Sequence, residues 1–165
     1  MEFEEYVATR GRALERYAFV LTGDAQRAQD LVQIALAKAY RRWGRVTRAR
    51  HPDAYVRRIV TTSYLDWRRR RANSEAPLAQ LPAQAPPSPD PADRVAERDE
   101  LARALATLTP HQRAVLVLRY YEGYDDVAIA AVLGCSEGTV RAHASRGAQR
   151  LRAAVHPTRL QEGPR

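Results

Sequence analysis

The stretch "APLAQLPAQAPPSPDPAD", residues 76–93, carries six of the ten prolines in the chain. Proline has no amide hydrogen to donate and holds φ near one value, so neither a helix nor a central strand continues through such a density. A chain of 165 residues cut at this place leaves two short pieces, and each must bury its own core. The sequence therefore predicts an extended linker over 73–92, a domain at 1–72, a second domain at 93–155 and a tail at 156–165. Hydrophobic residues make up 45% of the chain, enough for two cores and too many for wholesale disorder.

The first half reads as three helices. Phe3, Val7, Leu14, Ala18 and Leu21 fall roughly on one face, and "TGD" breaks the pattern with Asp24 placed to cap the next helix. That second helix, about 25–43, turns Ala28, Val32, Ala35, Leu36, Ala39 and Trp43 toward a core. After a loop over Gly44–His51, Pro52 suits the first turn of a third helix with Val56, Ile59, Val60, Ser63 and Trp67 as its apolar stripe. No segment alternates with period two, so the predicted class is all-α.

The second half is also helical. "RVAERDELARALATL" is amphipathic through Val95, Leu101, Leu105 and Leu108. "TPHQ" supplies Thr109 as cap, Pro110 at the first turn and Gln112 as the reciprocal partner. That helix runs through Val115, Leu118 and Tyr121 to Gly123. Asp125 then caps a short helix ending at Gly134, and Ser136 caps the last, about 137–154. Ile129, Ala130 and Leu133 face Val140, Ala144, Ala148 and Leu151 across a glycine turn, the layout of a helix-turn-helix.

In such a motif the second helix presents its outward side chains to DNA. The candidates over 126–151 are Ser136, Glu137, Thr139, Arg141, Ser145, Arg146 and Arg150. Arg141 suits a base edge, because its planar fork can bond guanine through two hydrogen bonds. Arg146 and Arg150, with Arg152 beyond them, suit backbone phosphates. The formal net charge of +8 and a pI of about 10.2 favour a polyanionic partner. A second basic concentration lies over 41–71, where Arg48, Arg50, Arg57 and Arg58 are the candidate phosphate contacts. Tyr55, Tyr64 and Trp67 could stack on bases there, although at helical spacing each is more often part of a core.

Two longer stretches carry a family resemblance. "DAQRAQDLVQIALAKAYRRW" with "HPDAYVRRIVTTSYLDWRRRR" resembles conserved region 2 of bacterial RNA polymerase sigma factors, and "LATLTPHQRAVLVLRYYEGYDDVAIAAVLGCSEGTVRAHASRGAQRLR" resembles their region 4. The order and the short connection match the extracytoplasmic-function (ECF, group 4) members of the sigma-70 family. The opening "FEEYVATRGRALERYAFVLTGD" resembles their SigE-like subgroup. The resemblance implies a factor that binds core RNA polymerase and selects −10 and −35 promoter elements. By it, region 2 carries core binding and −10 recognition, with a flipped base of the non-template strand held by the loop Gly44–His51. Region 4 carries −35 recognition. Asp30, Gln33, Ile34 and Tyr40 are implied to meet the polymerase β′ coiled coil, and the apolar helix 110–121 with its neighbours the tip of the β flap. Ile34 and Ala128 depart from the family pattern, which has a polar or acidic residue after that glutamine and Glu before "IA". The family also implies an anti-sigma factor as a further partner.

Without the first half, the motif alone would suit a free-standing helix-turn-helix repressor. A helical adaptor that touches only protein is the other rival, and it predicts no salt-dependent nucleic-acid binding. No nucleophile motif, phosphate-cradling glycine loop or metal-ligand cluster is legible, so no enzyme activity, cofactor or metal is expected. No signal-peptide pattern opens the chain, and no apolar run approaches the roughly 18 residues of a membrane span. The expected location is the cytoplasm.

Overall fold

A computed structural model of the chain describes residues 1–74 and 92–155. The chain divides into two compact units, Met1–Gln84 and Ala85–Arg165. The linker expected over 73–92 and the tail over 156–165 lie almost wholly outside the described residues. Every regular element among the described residues is helical.

The first unit holds α1 (Phe3–Thr22), α2 (Ala25–Tyr40), α3 (Trp43–Arg48) and α4 (Pro52–Asn73). Asp24 caps α2 through a 2.9 Å bond from the Arg27 N–H, and Pro52 opens α4. Helices α1, α2 and α4 pack on one another around Leu14, Ala18, Leu21, Val32, Ala35, Val56 and Val60, all buried. Two expectations change. The loop expected over 44–51 is mostly the short helix α3, with Val46 fully buried as its anchor. The second helix ends at Tyr40, where the chain turns before α3 instead of continuing to Trp43.

Polar groups at long sequence separation knit this core. Tyr17 Oη and Thr61 Oγ1 lie 2.6 Å apart and buried. Tyr6 Oη donates to Asp53 Oδ1 at 2.9 Å, and the same carboxylate forms an ion pair with Arg57. Burial, then the bond to Asp53, raises the Tyr6 pKa well above the ordinary tyrosine value. Lys38 Nζ donates to Ser63 Oγ at 2.9 Å and so ties α2 to α4.

The second unit holds α5 (Ala92–Ala106), α6 (Pro110–Leu116), a π-helical turn (Val117–Tyr121), α7 (Asp126–Leu133) and α8 (Glu137–Val155). Its helices are held by their ends. Thr109 and Gln112 form the reciprocal capping box, with both bonds at 3.2 Å. Helices α5, α6 and α7 each pack on α8. Gln112 through Leu118 are buried without interruption, with Ile129, Val132, Val140 and Ala144 opposite them.

Candidate nucleic-acid interface

The helix-turn-helix forms as its residues dictate. Asp125 accepts from the Ala128 N–H at 2.8 Å and starts α7. Gly134 ends it with φ of 66°, a conformation that costs glycine nothing, and its N–H returns to the Ala130 carbonyl at 2.9 Å. Ser136 accepts from the Thr139 N–H at 3.1 Å, and the two hydroxyl oxygens lie 2.9 Å apart. Ser136 and Thr139 are thus exposed but engaged with one another in starting α8. Val140, Ala144 and Gly147 turn inward. Glu137, Arg141, Ser145, Arg146 and Arg150 turn outward.

The outward arginines differ in their engagement. Arg141 touches Glu137 one turn earlier at 3.9 Å, a loose exposed contact that contributes little and leaves the fork free. Arg150 lies across the end of α5 and donates to the Thr107 carbonyl at 3.3 Å, so the expected phosphate contact is also a helix-end contact. Between α6 and α8 the rings of His111 and His143 stack at 5.5 Å. Burial, then the neighbouring His111 and Arg146 charges, lowers the His143 pKa.

In the first unit, Arg41, Arg42, Arg45 and Arg48 converge with Gly44 on a surface hollow of about 470 Å³. The sequence shows the arginine density but singles out only Arg48 of these four; the winding of α3 is what gathers them. Arg50 and Arg58 are exposed nearby in sequence, and Tyr55 is half-buried. Tyr64 is fully buried, so its ring belongs to the core and not to a base. Arg57 corrects its expectation. Its side chain is only 11% exposed and is paired with Asp53, so it serves the core and is not displayed to phosphate. Trp67 is half-buried, with the Arg27 guanidinium 4.9 Å and that of Arg68 6.0 Å from its ring centre. A base stacking on the face that Arg27 covers would have to displace that guanidinium.

Two further surfaces carry exposed apolar groups. On α2, Asp30, Gln33 and Ile34 share an outward face one helical turn wide, Ile34 being 51% exposed. Asp30 accepts from Gln26 at 3.2 Å. Tyr40, 61% exposed, sits edge-on to Phe3 at 5.0 Å. In the second unit most of the apolar helix expected to meet a partner is the unit's own core. What stands out is Tyr120, Tyr121 and Val127, together with Leu101, which the sequence places on the apolar face of α5 and which is exposed. For Tyr121 the π-helical turn is the cause: the Glu122 N–H reaches the Val117 carbonyl five residues back. The wider turn uses more residues per revolution, and Tyr121 drops out of the face that a 3.6-residue period assigns it. An Arg119–Asp126 ion pair fastens this turn to α7.

Comparison with known proteins matches both halves. The sigma-70 region 2 family profile covers residues 6–74, and the sigma-70 region 4 profile covers residues 98–151. The chain is 43% identical to the RNA polymerase sigma-E factor of Streptomyces coelicolor over 152 residues, covering 92% of this chain and 85% of that one. It is 33% identical to the ECF RNA polymerase sigma factor SigL of Mycobacterium tuberculosis, covering 96% and 85%. Among solved structures, the sigma factor RpoE in complex with the anti-sigma factor NepR from Bartonella quintana superposes with a TM-score of 0.77 at 24% identity, over 94% of this chain and 98% of that one. CnrH in complex with the cytosolic domain of CnrY gives 0.61, also at 24% identity, over 94% and 88%.

Proposed function

The chain belongs to the sigma-70 family of RNA polymerase sigma factors, in the ECF group, and from that premise we propose how its surfaces divide the work of promoter selection. It is a transcription initiation factor that joins core RNA polymerase and directs it to −10 and −35 elements. The observation that carries this is the pairing of region 2 and region 4 in one chain, in that order. A helix-turn-helix repressor has no use for the first unit.

Residues 1–72 take core binding and the −10 element, and residues 93–155 take the −35 element. In the first unit, Asp30, Gln33, Ile34 and Tyr40 form the face toward β′; an exposed isoleucine among polar groups suits burial against a partner. Arg41, Arg42, Arg45, Arg48, Arg50 and Arg58 track the phosphates of the opened strand. In the second unit, Arg141 reads a base edge while Arg146 and Arg150 hold the backbone. Tyr120, Tyr121 and Val127 form the apolar patch offered to the β flap. An anti-sigma factor, the partner of the Bartonella quintana protein, is a further partner by extension. The place of work is the cytoplasm, where the polymerase is; no helix among the described residues is long and apolar enough to cross a membrane.

Reconstituted transcription tests the reading. Core polymerase with this protein should initiate on a defined subset of a genomic fragment library, and neither component alone should do so. Tight duplex binding without polymerase, and no transcription with it, would favour the repressor. Asp30→Ala with Gln33→Ala should weaken co-elution with core while leaving helicity unchanged.

A further inference from the structure

Four glycines fall within the described part of the second unit, and three of them answer to the fold. Gly123 and Gly134 hold φ of 73° and 66°. Gly147 faces α6, where a Cβ would lie 3.1 Å from Leu116 Cδ1 and 3.3 Å from Gln112 Cβ. Gly138 answers to nothing in the chain. Its φ lies outside the positive region, and a Cβ would meet only Ser136 Oγ at 3.8 Å and an Arg141 nitrogen at 3.9 Å, ordinary contacts both. Glycine in a helix is disfavoured relative to alanine, so the fold alone would favour a side chain here.

An open glycine is not by itself a signal. Gly11 in α1 is equally open, with Val7 Cγ1 at 3.9 Å as its nearest neighbour. What separates the two is position. Gly138 is exposed in the first turn of α8, between the Ser136 cap and Arg141. Recognition helices present this part to base edges. A missing side chain there lets the helix come closer to whatever it faces.

We propose that Gly138 is the point of closest approach between α8 and promoter DNA, its missing side chain setting how deeply the helix seats and whether Arg141 reaches a base. The inference rests on the reading of α8 as the helix that enters the groove. Its residue is a positioning one: it forms no bond of its own, and a side chain added there would hold the helix axis away from DNA and shorten the reach of Arg141.

The test uses reconstituted holoenzyme carrying Gly138→Ala, Gly138→Leu, Gly11→Ala or Arg141→Ala. In the free protein Gly138→Ala should raise the thermal midpoint of the second unit by a few degrees, as Gly11→Ala should that of the first. Binding to a duplex promoter with a −35 element should weaken about tenfold for Gly138→Ala and further for Gly138→Leu, since overpacking a tight interface carries that scale of loss. Co-elution with core polymerase and binding to a pre-melted template holding only the −10 region should not change. Gly11→Ala should leave promoter binding alone. Wild-type promoter binding by Gly138→Leu would overturn the inference, and so would a lower thermal midpoint for Gly138→Ala, which would return the glycine to the fold. If Arg141→Ala still loses binding, only the close approach falls; if Arg141→Ala is silent too, the reading of α8 falls with it.

Discussion

The two units are similar in size and both wholly helical in their described parts, yet they are fastened differently. The first uses long helices and joins them by side-chain bonds between residues far apart in sequence: Tyr6 to Asp53, Tyr17 to Thr61, Lys38 to Ser63. The second uses mostly short helices and secures their starts by bonds three residues long, at Thr109, Asp125 and Ser136. Stability in the first unit thus depends on tertiary partners, while much of the second unit's order is written locally.

This contrast can be broken most sharply at Asp53. Asp53→Ala strips the Tyr6 hydroxyl and Arg57 of a shared partner, and the first unit should lose about 2 kcal/mol. That lies below the usual range for a broken buried pair because the Asp53 side chain is 38% exposed. Both tryptophans, Trp43 and Trp67, lie in the first unit. Their fluorescence in a urea titration should therefore move, while the helical signal of the second unit should not. Tyr17→Phe is the gentler version, about 1 kcal/mol in the same unit by the same probe, because Thr61 keeps its bond to the Arg57 carbonyl. Thr109→Ala is the converse: about 1 kcal/mol from the second unit, visible in circular dichroism and silent in fluorescence. A fluorescence shift in Thr109→Ala would mean the units do not unfold independently.

The smallest effect is a pH dependence of opposite sense in the two units. Tyr6 has a raised pKa, so its contribution is complete below the unfolded tyrosine value of about 10 and is lost as pH rises beyond it. His143 has a lowered pKa, so its contribution is complete above the unfolded histidine value of about 6.5 and is lost as pH falls. Fluorescence-detected stability should decline on the alkaline side, and less steeply in Tyr6→Phe, where the buried Tyr17 and Tyr64 remain. The second unit should weaken on the acid side, and His143→Gln should remove that slope.

The same contrast explains how much the sequence disclosed. Class, helix order, capping box and helix-turn-helix were legible because each depends on neighbours within one or two turns. Tyr6 and Tyr17 were missed as core residues because an aromatic hydroxyl is admitted to a core only when a distant partner receives it, and Asp53 and Thr61 are 47 and 44 residues away. Arg57 was misassigned for the same reason: its charge suggests phosphate, and its pairing with Asp53 became visible only once α4 was packed. Tyr121 was misplaced because periodicity assumes an α-helix, and nothing in "VLRYY" announces the π turn.

The bond from Lys38 to Ser63 has a consequence for regulation by covalent chemistry. Lys38 is the only lysine in the chain, so the charge proposed to face DNA is all guanidinium. Guanidinium does not deprotonate in the physiological range, and it is not a substrate for the acyl transfers that neutralise amines. Acylation of the one side-chain amine would leave every proposed DNA contact charged. It would instead remove the charge from the donor that Lys38 extends from α2 to α4.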